Sequence, residues 1–168
     1  RESAYGREGR GEGAEVVCKG PAFEAVAARV GGRDPKDLYH SALTVRCDDA
    51  RSVIEMTPST GAPHGPRGVV VEGPVGVHGV AGLRVLRYEI RCWRDGTIDD
   101  IAEAVGDPIR LSDSAADARR IIALTREVPP LTWGRDELGA GETWNSNSVI
   151  SWLVKRAGLP ADGIRPPR

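Results

Sequence analysis

"HSALTVRCDDARSVIEMT" (His40–Thr57) is the stretch on which the fold class turns. "HSALTVR" alternates weakly and becomes rich in β-branched residues at its end. "CDDA" has the composition of a turn, and "RSVIEMT" alternates again. Two such runs joined by a short polar turn predict an antiparallel hairpin. With "CDDA" as the turn, Glu55 falls opposite Ala42, one diagonal step from His40 and on the same face. A carboxylate between Ile54 and Met56 is costly to bury unless it is paired.

Working outward, "LRVLRYEIRCW" (83–93) alternates over its whole length and predicts a further strand with one mostly buried face. "TPSTGAPHGPRG" (57–68) is a Gly/Pro loop, and "VVVEGPVGVHGVAG" is strand-like but broken by glycines. "PAFEAVAARV" (21–30) has helical spacing. Thr97 is placed to cap "IDDIAEAV", and Ser112 to cap "DSAADARRIIALTREV", which stops at Pro129–Pro130. "LTWGRDELGAGET" is a loop. The last helix is expected over 146–157, ended by Gly158 and Pro160. Helix, strands, then helices predict an α+β domain with an antiparallel sheet packed against helices. Residues 1–14, Gly, Glu and Arg with almost nothing to bury, read as a flexible tail ahead of one domain over 15–168.

The chain has 168 residues and a net charge of −1, so no overall field draws it to nucleic acid or an acidic membrane. No apolar run reaches the roughly 18 residues of a membrane span. Three separated cysteines, Cys18, Cys47 and Cys92, form neither a disulfide framework nor a zinc pattern. No metal or cofactor is expected. A reducing cytoplasm is the expected setting, although a start at Arg1 leaves secretion open.

The chemistry centres on "WNSNSVISWL" (144–153). Numbered from Ser146, the positions i, i+3, i+4, i+7 and i+11 are Ser146, Val149, Ile150, Leu153 and Ala157, so Ser146 heads the core-facing stripe. Two readings stand side by side. Asn145 or Ser146 is a helix cap and nothing more, or Ser146 is a nucleophile at the positive end of the helix, where free amides hold an oxyanion. Ser148 points off the stripe and is the weaker nucleophile candidate. A serine nucleophile needs a base. His64 and His78 lie in Gly-rich stretches, whereas His40 opens a strand that can fix it. Glu55 could orient its ring. Asn145 could assist the oxyanion site, and Trp133 and Trp144 could wall a pocket or simply pack.

"YHSALTV", "SVIEM" and "WNSNSVISWL", in that order, resemble the His strand, the following strand and the nucleophile helix of the permuted papain-like superfamily. That group holds the lecithin:retinol acyltransferase relatives, the PPPDE peptidases and NlpC-like bacterial hydrolases. The resemblance spans about residues 38–158. It implies a circularly permuted papain-like fold and a hydrolase or acyltransferase forming an acyl-enzyme on a peptide or small-molecule amide or ester. It departs at the nucleophile, where Ser146 stands in place of the family's Cys. A hydroxyl, unlike a thiol, is not appreciably ionised near neutral pH. The alternative is therefore an inactive papain-like module that binds a peptide or acyl ligand. A third reading is an anion-binding face built on Arg87, Arg91 and Arg94.

Overall fold

A computed structural model describes residues 11–19, 40–59, 68–76, 87–96, 98 and 107–161. Among these residues six strands are formed: β1 (Gly13–Lys19), β2 (His40–Cys47), β3 (Ala50–Pro58), β4 (Val69–Pro74), β5 (Arg87–Arg94) and β6 (Ile109–Ser112). Two helices follow, α1 (Ala115–Leu124), continued by a 3₁₀ turn over Thr125–Glu127, and α2 (Ser146–Ala157). The strands make one antiparallel sheet in the order β4-β5-β3-β2-β1-β6. The expected α+β class is observed. The segments expected as helices over 21–30 and after Thr97 lie outside the described residues, apart from Ile98, which is buried.

The β2–β3 hairpin is closed by Asp48 and Asp49, with φ of 53° and 59°. Positive φ at both central residues is the signature of a two-residue turn whose twist suits the strands, and Asp tolerates it. The register runs from Cys47↔Ala50 to Leu43↔Ile54. The paired residues end there, one step short of Ala42 and Glu55. In the sheet this hairpin is flanked by β1 and β5.

The pleat separates two faces. Ala14 and Val16 of β1, Leu43 and Val45 of β2, Ile54 and Met56 of β3, and Tyr88 and Ile90 of β5 form one buried cluster with Ala118 and Ile121 of α1 and Val149, Ile150 and Leu153 of α2. Each fully buried aliphatic side chain contributes about 1.5–3 kcal/mol by leaving water. The intervening residues, Ala42, Thr44, Val53, Glu55, Glu89 and Arg91, point to the second face and are buried as well. Both faces of the central strands are therefore out of solvent. This corrects the reading of 83–93 as a strand with a single buried face.

Local differences from the sequence reading have local causes. β1 begins at Gly13, so Gly13 and Ala14, read as the end of the tail, belong to the sheet, where Ala14 is fully buried. The cap of α1 is Ser114, whose side chain accepts from the Asp117 amide. Ser112 ends β6 instead, donating to Asp117 Oδ2 at 2.6 Å and accepting from the Ser114 amide at 3.0 Å. α2 stops at Gly158, which has a φ of 75°. The Gly158 and Leu159 amides return to the carbonyls of Lys155 and Val154, a closure that favours a residue without a Cβ.

Candidate functional site

The start of α2 is built as a cap. Asn145 is extended, and its side-chain oxygen accepts from the amides of Asn147 at 2.8 Å and Ser148 at 3.1 Å. Its Nδ2 donates to the Thr143 carbonyl at 2.9 Å, and Ser148 Oγ donates to the same carbonyl at 2.9 Å. Asn145 and Ser148 are thus both engaged in fixing the entry to the helix. Ser146 is the first helical residue, 5% exposed, on the stripe with Val149, Ile150, Leu153 and Ala157, all buried. The stripe read from the sequence is the one that packs.

His40 opens β2 and is half-buried. Its place in the sheet is set by β1, where it pairs with Lys19. The pleat puts His40 and Glu55 on the same face, as expected, but that face is the second one. Leu43 and Ile54, of opposite parity, carry the face against which α2 packs. The alternation therefore puts His40 and Glu55 on the face opposite to that of Leu43 and Ile54, and the α2 stripe that Ser146 heads packs on the Leu43 and Ile54 face.

On the second face Glu55 joins a buried charge group. Glu55 is 3% exposed, Arg91 4% and Glu89 0%. Arg91 Nη1 lies 3.8 Å from Glu55 Oε1, directly across from it in the β3–β5 register. Arg91 also grips Glu89 Oε2 through Nε at 3.1 Å and Nη2 at 2.9 Å. Ser59 Oγ donates to Glu89 Oε1 at 2.9 Å. An ionised side chain survives out of water only when paired in this way. Of the Arg-rich strand, Arg91 is buried in this pairing, Arg87 pairs with Glu72 at 3.4 Å, and Arg94 is exposed.

Trp133 and Trp144 meet around Tyr88. The Trp133 and Tyr88 rings stand edge to face, with centroids 5.9 Å apart. Trp144 Nε1 donates to Tyr88 Oη at 3.2 Å, and Tyr88 Oη donates to the Leu131 carbonyl at 2.6 Å. Burial pushes the Tyr88 phenol up to about 12, against a smaller downward pull from the Trp144 hydrogen bond. Tyr88 is opposed in β4 by Gly73, where a Cβ would fall 2.2 Å from the ring. Only glycine lets the ring lie there.

The segment between the two tryptophans is a tied loop. Its neck is closed by Gly134 N to Trp144 O at 2.9 Å and Trp144 N to Arg135 O at 2.8 Å. Asp136 accepts from the amides of Ala140 at 2.9 Å and Gly141 at 2.8 Å. Glu137 accepts from the amide and the hydroxyl of Thr132 at 3.0 Å and 2.8 Å. These bonds, the backbone one foremost, hold the Glu137 carboxyl below its ordinary value of 4.5. Between this loop and α2 lies a cavity of about 360 Å³, at the small end of ligand pockets, roughly 300–1,000 Å³. Trp144 is one wall, and Ser148, Ser151, Trp152 and Lys155 form another.

Sequence reasoning found Trp144 but missed Trp152, Lys155 and Leu138. A usable signal was present: 148, 151, 152 and 155 follow the i, i+3, i+4, i+7 rule on a stripe of α2 away from the core stripe. The candidates His64 and His78 lie outside the described residues, as does the side chain of Cys18. Cys47 and Cys92 are free thiols, both pushed up chiefly by burial. Among the described residues no group of three or more His, Cys, Asp or Glu could hold a metal ion, and no helix is long and apolar enough to cross a membrane. Comparison with protein-family models, with curated proteins and with solved structures finds no match.

Proposed function

We propose that this chain is a ligand-binding domain of permuted papain-like descent, and that it takes a small peptide or acyl ligand non-covalently between α2 and the loop before it. The observation that carries this reading is the pocket. It has aromatic and aliphatic walls, polar groups at its rim and a loop pre-ordered by its own carboxylates. Little ordering is left to do on binding, which favours affinity. The papain-like descent is supported by chain order alone: a His-led strand, a Glu-bearing strand, and a serine at the start of a late helix.

Serine chemistry is the second reading, and what favours it is the place of Ser146 at the helix N-terminus, although the Asn147 and Ser148 amides beside it are already bonded to the Asn145 side chain. It needs a base within about 2.6–3.2 Å of the hydroxyl. His40, with Glu55 behind its ring, is the base this reading requires.

The two readings part in one pair of measurements. Exposure to a fluorophosphonate should leave Ser146 unmodified by mass spectrometry. The fluorescent probe anilinonaphthalene sulfonate should bind saturably to the native protein and at least fivefold more weakly to Trp152→Ala. A covalent adduct that disappears in Ser146→Ala would overturn the binding reading in favour of acyl transfer.

A further inference from the structure

We infer that the pocket selects ligands with a free carboxylate on an apolar body, and that Lys155 is the residue that reads the charge. The inference rests on the binding reading above. Four of the lining residues are apolar and bulky enough to hold a hydrocarbon or an apolar side chain: Leu131, Leu138, Trp144 and Trp152. Leu138 is 56% exposed, the one large apolar side chain left in water among the described residues. A ligand lying under it gives that surface a partner.

The charges around the pocket are not equally available. Asp136 and Glu137 are acidic, but their oxygens are taken by backbone amides and the Thr132 hydroxyl. The Trp152 ring already has a cation over it, with the Arg156 guanidinium carbon 5.8 Å from its centroid. That contact weakens the ring's attraction for a second cation. Lys155 lies one helical turn beyond Ser151, and its ammonium has no ion-pair partner among the described residues. Arg135, the other cation lining the pocket, is drawn to Glu137, which leaves Lys155 to meet a ligand. Glu142, exposed on the same rim, opposes an anion and should temper the preference.

Two sources share this chemistry, a medium-chain fatty acid and the free carboxyl end of an apolar peptide. Calorimetric titration of the intact protein with octanoate, octanamide and octylammonium tests the charge. Octanoate should bind about fivefold more tightly than octanamide, the upper end for an exposed pair, with octylammonium weakest. Each methylene removed from the chain should cost about fourfold. Lys155→Met should erase the preference for octanoate over octanamide, and Glu142→Gln should enlarge it. Acetyl-alanyl-leucine against its amide tests the peptide source by the same comparison. A preference for carboxylate over amide in only one pair assigns the source. Equal binding of carboxylate and amide in both pairs, or tighter binding of the amine, overturns the inference while the binding reading stands. Failure of every probe to bind, anilinonaphthalene sulfonate included, removes both.

Discussion

Tyr88 shows how much one hydroxyl organises here. It donates to Leu131 and accepts from Trp144, so a single oxygen ties β5 to both ends of the pocket loop. Tyr88→Phe removes the oxygen and leaves a half-buried carbonyl and a buried indole N–H without it. A cost of about 1–3 kcal/mol is expected, read by urea denaturation. The phenol's raised value also has a definite sign. The folded protein holds that proton more tightly than the unfolded chain, so the contribution is complete below about 10. It is lost as pH rises through about 12. Spectrophotometric titration should show one of the three tyrosines ionising late, and Tyr88→Phe should abolish that phase. The cap at Asn145 is a residue-scale feature of the same kind, and caps of this type contribute about 1 kcal/mol. It was legible in the sequence because a cap is defined by its own side chain and the next three amides.

At the scale of elements, the loop from Leu131 to Trp144 is the part whose order depends on charge. Its composition marks it as a loop and says nothing of its being tied. The ties appear only once Thr132 and Glu137, five residues apart, meet across a bend. Because the Glu137 carboxyl is lowered, its contribution to the loop is present above the ordinary carboxylate value. It fades as pH falls through the lowered one. The Thr132 amide resonance should therefore titrate with a midpoint below 4.5. In Glu137→Gln that titration should vanish, and native and variant stabilities should converge in acid. A Thr132 amide insensitive to pH in the native protein would remove the tie. Two strands also escaped the sequence reading at this scale. β6 is four residues long, and β1 opens on a glycine-rich stretch, so neither offers enough alternation to be seen.

Across the whole molecule, the sheet buries charge on one face and hydrocarbon on the other. Arg91 is the cation that makes the second face tenable, and Arg91→Met leaves Glu55 and Glu89 buried without it. A loss of about 3–5 kcal/mol is expected in chemical denaturation. Adding Glu55→Gln and Glu89→Gln should recover part of it, because the uncompensated charge is then gone. A loss no larger than an ordinary surface substitution would mean the cluster is not what supports this face. The sequence by itself determined the hairpin and its register, the start, stripe and end of α2, and the sharing of a face by His40 and Glu55. Each of those follows from interactions among residues near in the chain or from the strict alternation of a strand. Only the tertiary structure decided which face the helices cover, that Glu55 meets Arg91 across β5, and that a pocket opens beside Trp152. Alternation fixes which side chains lie together but carries no mark of which side the helices will choose when both faces are buried. That choice is made by packing between segments about a hundred residues apart.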